Sequence, residues 1–248
     1  MVSDAADSLF HIKNRMTKQE FINRVLLIMN EASMADPSGT MFIGADTAQL
    51  DRQIEGSYVD AWRRCVKVMP RSWFANKSFK TAGVVPNLPQ GTGYVVLPDD
   101  FYLLSSFKMQ GWQKAVQEAS VINERVSSIQ SNEYTRGSEI RPVCVIDLEE
   151  VSGSIKTVLR YYSLSKNMSS HVIEQAIYIP IVKPLKEMEA TDDIGLGGQV
   201  IEPLAYITAS TVFTMHEKND IAQALDARAV EMFPGLQSVR SGIATVKQ

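Results

Sequence analysis

Histidines, cysteines and side-by-side carboxylates are the residues of this chain that could carry chemistry. The three histidines, His11, His171 and His216, are widely spaced and form no HExxH or HxH pair. Zinc binding or a histidine-based triad would need further ligands gathered by the fold, so surface or capping roles are expected. Cys65 falls on the apolar side of a helical pattern and Cys144 in an apolar run, where free cysteine serves as a small core residue. A thiolate nucleophile needs an accessible electropositive setting, which Arg63 and Arg64 could lend to Cys65. Adjacent acids stand at Asp99-Asp100, Glu149-Glu150 and Asp192-Asp193. Neighbours on a strand point to opposite faces, which makes poor acid–base dyads. The first pair is expected to cap a short helical turn and the other two to occupy turns. Gly195-Leu-Gly-Gly198 has the texture of a phosphate cradle but follows an acidic stretch rather than a buried strand, so it is expected to be a loop. No catalytic residue, cofactor site or metal site is expected.

A charge pattern is less routine. From Ala61 to Pro98 there is no Asp or Glu, while Arg63, Arg64, Lys67, Arg71, Lys77 and Lys80 are present, with Trp62, Trp73, Phe74 and Phe79 interleaved. Such a stretch suits nucleic-acid phosphates and bases, an acidic protein surface, or merely a solvated face above core aromatics. Beyond Glu231 the chain again lacks acids and carries Arg240 and Lys247, as segments that order on a partner do.

The elements that must position these groups follow from periodicity. Thr17-Lys-Gln-Glu20 is a capping box, with Met16 and Phe21 at the staple positions and Phe21, Val25, Ile28 and Met29 as the apolar stripe of a helix that ends before Asp36-Pro37. A second helix starts near Asp46 and carries Leu50, Ile54, Tyr58, Trp62, Cys65 and Met69 inward until Pro70. Gly56 in its middle costs about 1 kcal/mol against Ala, which points either to a close backbone contact or to a cost that is simply tolerated. The period then changes. Strands are expected at Gly93–Leu97, at Ser106–Trp112 paired with Gln113–Ala119, at Val143–Ile146 paired with Ser154–Ser163 across Ser152-Gly153, and at Ile173–Val182. Pro180 assigns the last of these to a sheet edge. Helices return with Pro203 in a first turn and Asn219 as a cap, with Leu204, Ile207, Val212, Met215, Ile221, Leu225, Ala229 and Met232 inward.

The chain has 248 residues, 45% of them hydrophobic and 21% charged, with a net charge of −3. That balance argues against a uniformly basic nucleic-acid coat, and two cysteines cannot form a disulfide framework. The N-terminus lacks the basic and apolar regions of a secretory signal, and no run approaches a membrane span of roughly 18 apolar residues. A cytoplasmic protein, or one built into a particle assembled in the cytoplasm, is expected. The expected fold class is α+β: N- and C-terminal helices forming a helical bundle body (17–70 and 201–232), a β-rich lobe inserted between them (79–182), and a C-terminal tail (233–248), all in one domain.

The segment Gly93-Tyr-Val-Val-Leu-Pro-Asp-Asp-Phe-Tyr-Leu-Leu104, leading into Ser105-Ser-Phe-Lys-Met-Gln-Gly-Trp112, resembles the strand, Leu-Pro-x-Asp-Phe, strand pattern of tailed-phage head–tail connector proteins, and among these the ring or adaptor proteins of crAss-like short-tailed phages. Arg136-Gly137, Arg141–Ile146, Leu159–Ser163 and the alanine-containing terminal helices fit the same pattern. The resemblance implies a non-enzymatic virion protein: a dodecameric ring that joins the portal to the tail and extends the DNA channel, with DNA passing through without specific binding. By the same analogy the tail would dock on the portal through Phe233, Leu236, Val239, Arg240 and Lys247. A head-to-tail ring needs two different patches per subunit. Arg63, Arg64, Arg71 and Trp73 are the candidates for one, and Glu187, Glu189, Asp192 and Asp193 for the other. Further partners would be other tail or ring proteins. A nucleic-acid-binding module using residues 62–80 is the alternative, and an enzyme using Cys65 a third possibility.

Overall fold

The computed structural model describes residues 16–34, 47–87, 90–165 and 170–233. In chain order these form α1 (Lys18–Met34), α2 (Thr47–Val68), β1 (Lys77–Ser78), β2 (Val84–Asn87), β3 (Thr92–Val96), β4 (Phe101–Met109) and β5 (Ser120–Val121). They continue with α3 (Glu124–Ser131), β6 (Cys144–Val151), β7 (Ser154–Tyr161), β8 (Ile173–Pro180), α4 (Gly198–Met215) and α5 (Asn219–Glu231). Two compact units result, one drawn from Met1–Ala75 with Val182–Gln248, the other from Asn76–Ile181.

This corrects the expected fold class. The described chain is mixed α/β, with eight strands in two separate sheets, and its helices do not flank a single β lobe. Helix α3 arises inside the strand-bearing segment, where Asn123 caps it by accepting from the Val126 N–H at 2.9 Å. Hydrophobic periodicity names strands but not their partners, so it could not reveal that β1-β8-β4 and β2-β3-β7-β6-β5 are distinct sheets.

In the helical unit the capping box forms. Thr17 N–H donates to Glu20 Oε2 at 2.8 Å and Glu20 N–H to Thr17 Oγ1 at 3.3 Å. Leu50, Ile54, Tyr58, Trp62, Cys65 and Met69 are all buried, as their spacing requires. Gly56, in contrast, has nothing within 4 Å of where a Cβ would stand, so no close contact explains it. Helix α4 starts at Gly198, five residues earlier than expected, which puts Pro203 inside it. Its start is hard to read because the helix is apolar on nearly all sides, leaving no amphipathic contrast. Met215, assigned to the inner stripe, is exposed. Asn219 is the first helical residue of α5 rather than its cap; Lys218 holds the cap position, without a side-chain cap bond. Between α4 and α5, Lys218 N–H bonds Phe213 O at 3.0 Å and Glu217 N–H bonds Thr214 O at 3.1 Å. This is a Schellman ending that places Glu217, at φ 60°, in the left-handed region usually given to glycine.

In the strand-bearing unit β6 and β7 form the expected hairpin, turned by Ser152 (φ 54°) and Gly153 (φ 77°). Two consecutive left-handed residues suit a type I′ turn. The turn is so tight that Glu149 and Glu150 lie within β6, opposite Lys156 and Ile155, rather than in the turn. Strand β4 starts at Phe101, and the expected partner strand 113–119 reduces to one bridge, Phe107 with Val116. Strand β8 is central rather than at an edge, because β1 pairs only with Ile177 and Tyr178 and so leaves Pro180 no ladder bond to miss on that side. The core of this unit packs Phe79, Phe107, Trp112, Tyr161 and Tyr178 with Val95, Leu104 and Leu159. The Phe79 and Phe107 rings stack at 5.9 Å. Backbone crowds the end of β7: a Cβ on Gly93 would collide with the Tyr161 hydroxyl and lie 2.6 Å from Val85 O.

Candidate functional site

The basic candidates sit where α2 ends and the chain turns after Pro70. Arg63 and Arg64 are exposed on the last turns of α2, while Arg71 and Trp73 are half-buried in a 3-10 turn over 71–73. Arg63 pairs with Asp60 at 2.9 Å and Arg64 with Asp226 on α5 at 2.7 Å. Trp62 and Phe74 are buried and meet edge to face at 6.2 Å. In the strand-bearing unit Phe79 is also buried, and Lys77 donates to Asp100 Oδ2 at 2.6 Å. Three of the four interleaved aromatics are thus packed inside, where no base can stack on them, and three of the cations already face carboxylates of this chain. Those features weigh against a nucleic-acid interface over 62–80.

The acidic candidates lie on the segment that follows a 3-10 turn over Leu185–Glu187. Glu187 and Glu189 are exposed. Asp192 is half-buried and occupied locally: its Oδ2 accepts from Glu189 N–H at 3.0 Å and its carbonyl from Lys18 N–H at 2.9 Å. Asp193 bridges to Thr17 and accepts from Gly195 N–H at 2.9 Å. The backbone of this pair therefore braces the start of α1, taking up one of the N–H groups that a helix N-terminus leaves unpaired, while its carboxylates close their own loop. Nearby Lys18 Nζ bonds Glu55 at 2.7 Å and Met188 O at 3.0 Å.

Phe233 is buried at 1% exposure, with its N–H on Val230 O at 3.1 Å. It is a core residue of the helical unit rather than a docking side chain, because the chain end of α5 folds it inward. Leu236, Val239, Arg240 and Lys247 lie outside the described residues, as do His11, Asp36 and Asp46.

The groups suspected of chemistry are placed as structural residues. Cys65 is fully buried, and burial pushes its thiol up to about 12; Cys144 is raised well above the usual value for the same reason. Neither is a thiolate at neutral pH. His216 meets Gln53 Oε1 at 2.9 Å. His171 is buried, its Nδ1 lies 2.7 Å from the Tyr161 hydroxyl, and burial lowers its proton affinity. Asp99-Asp100 forms a turn rather than a helical cap, closed by Phe101 N–H on Pro98 O at 3.0 Å. Asp100 accepts from Lys77 and, at 2.6 Å, from the Tyr178 hydroxyl, which hold its carboxyl below the usual range. Gly195–Gly198 leads directly into α4. Among the described residues no group of three or more His, Cys, Asp or Glu could hold a metal ion, and no helix is long and apolar enough to cross a membrane.

The β6–β7 hairpin has two unlike faces, as the alternation along β7 requires, and what sequence reading missed is the exposure of its tip. On one face Arg160 bonds Asp147 Oδ2 at 2.6 Å, pairs with Glu149 and lies 5.8 Å from the Tyr94 ring. The register puts Ile146, Leu148, Ile155 and Leu159 on the other face. Leu159 is in the core, but Leu148 and Ile155 are 65% and 75% exposed. The Ser152-Gly153 turn carried the missing signal, since a two-residue turn extends both strands up to it and so projects their tips.

Compared with known proteins, the sequence matches no family model and no curated protein.

Proposed function

We propose that this chain is a structural protein of a tailed-phage virion, forming a ring that joins the portal to the tail and extends the DNA channel. The observation that carries the reading is the number of large apolar side chains left exposed between residues 121 and 155 of the strand-bearing unit: Val121, Ile129, Tyr134, Ile140, Leu148 and Ile155 all lie outside its core. Single exposed hydrophobics are ordinary, but Val121, Leu148 and Ile155 share one face of the sheet, and neighbouring exposed apolar side chains suit association with protein. Tyr134 is 96% exposed yet sits on a braced loop. Its N–H bonds Asn132 Oδ1 at 2.9 Å, Thr135 Oγ1 donates to Ile129 O at 2.8 Å, and Gly137 N–H donates to Gln130 Oε1 at 3.0 Å. A rigidly presented aromatic is typical of an interface anchor.

The connector-like segment from Gly93 to Trp112 supports the same reading by resemblance. Exposed Glu187 and Glu189 supply acidic charge for a head-to-tail contact, while Arg63 and Arg64, though exposed, would have to share their pairing with Asp60 and Asp226. In this role the protein performs no reaction and needs no cofactor, and the resemblance makes the ring dodecameric. The test is mass photometry of the purified protein, alone and mixed with portal. A species of twelve subunit masses that adds to the portal is expected. A protein that stays monomeric and leaves the portal mass unchanged at every concentration would refute the ring.

A further inference from the structure

Strand β6 has an open edge. Ile122 N–H donates to Ile146 O at 3.0 Å from the side away from β7, and β5 pairs only with Val145 and Ile146. Outward-facing backbone groups recur at every second residue of a strand. Leu148 and Glu150 therefore direct their N–H and C=O groups to the side where Ile146 is paired, and among the described residues no strand meets them there. The Leu148 N–H is taken up instead by Oδ1 of the preceding Asp147, at 2.8 Å. Beside this edge Val121, 69% exposed, shares the apolar face of Leu148 and Ile155.

Charge decides what can cover the edge. Two copies of β6 set edge to edge would bring Glu149 and Glu150 against the same acids, and like charges directly opposite are destabilising. A strand free of acids and carrying Lys or Arg meets no such repulsion. The sequence offers a segment of that composition: residues 238–247 read Ser-Val-Arg-Ser-Gly-Ile-Ala-Thr-Val-Lys, with no acid, two cations and the β-branched residues Val239, Ile243, Thr245 and Val246.

We propose that residues 238–247 of one copy add as a strand to the β6 edge of a second copy, at Leu148 and Glu150. The proposal rests on the ring reading and names its contact: each copy donates one strand and accepts another, a heterologous interface that repeats head to tail.

The test uses full-length chains. Glu150→Cys and Val246→Cys proteins are mixed under mild oxidation; Cys65 and Cys144 are buried and stay out of the exchange. A disulfide-linked dimer at least tenfold more abundant than with a control pair, Val172→Cys and Val246→Cys, is expected. In the unmodified protein the Leu148 and Glu150 amides should exchange with solvent at least tenfold more slowly at high concentration, and Glu150→Lys should remove that protection. Cross-linking no better than the control, a link formed only within one doubly substituted chain, or a link to portal rather than to a second copy would each overturn the assignment. If rings form without the cross-link, this contact falls and the ring stands; if copies never associate, both fall.

Discussion

In the helical unit, ion pairs link one helix to another. Arg24 grips Glu202 with two donors, Lys18 meets Glu55, and Arg64 meets Asp226. In the strand-bearing unit, the corresponding pairs tie neighbouring strands, as Arg160 does with Asp147 and Lys108 with Glu174 at 3.0 Å. The second contrast lies in packing. Gly56 on α2 faces open space, whereas Gly93 on β3 is hemmed in by Tyr161 and Val85. At position 56 the helix leaves its backbone room, while at position 93 the Tyr161 ring and the Val85 carbonyl close on the backbone of β3. Position 56 should therefore accept a larger residue, while position 93 should lose stability on any increase of volume.

The largest effect is expected from Phe107→Ala, which empties the centre of the aromatic cluster. A loss of about 3–5 kcal/mol, read from urea unfolding, is characteristic of a buried Phe truncation. A loss below about 1 kcal/mol would show that the cluster is loosely packed. Gly93→Ala comes next. The added methyl must displace Tyr161 or the backbone at Val85, and a cost of about 1–3 kcal/mol is expected from overpacking. The same substitution at Gly56 should have the opposite sign, raising stability by up to about 1 kcal/mol, since nothing obstructs the methyl and Ala is the better helix former. Thermal midpoints of the two alanine variants moving in the same direction would break the contrast. Glu217→Gly should also stabilise, by about 1 kcal/mol, by relieving a left-handed non-glycine residue.

The smallest effect concerns pH. Lys77 and Tyr178 hold the Asp100 carboxyl below its ordinary value, so its contribution is present above the unfolded value near 4 and is lost as pH falls through the folded one. With the Asp100 side chain 36% exposed, solvent screening keeps this under about 1 kcal/mol. Asp100→Asn should be weaker than the parent at pH 7, with the two denaturation midpoints converging toward pH 3.

Legibility in the sequence followed the range of the interactions. The cap of α1, the buried stripe of α2 and the β6–β7 turn are encoded by residues within a few positions of one another, and these were readable. The central place of β8 depends on two residues of β1 nearly a hundred positions away, and the start of α4 lies in a helix whose apolar surround erases the periodic signal. The candidate surface was readable only in part. Glu187 and Glu189 are exposed as a docking role requires, but Arg63 and Arg64 already face Asp60 and Asp226, Asp192 and Asp193 hold the start of α1, and Phe233 fills a core. Charge patterns mark residues that can reach a partner; they do not tell which of them the fold has already engaged.

The first and last strands of residues 76–181 pair with each other, Lys77 with Tyr178 and Ser78 with Ile177, so this stretch enters and leaves its unit at one point. Helices α1 and α2 precede it, while α4, against which both pack, follows it. During synthesis the strands can be complete and closed while the first two helices still wait for their partner to leave the ribosome. A pause in translation once residue 181 has left the ribosome would therefore find a finished strand-bearing unit and an unfinished helical one, which makes the early helices the part of the nascent chain most in need of a chaperone.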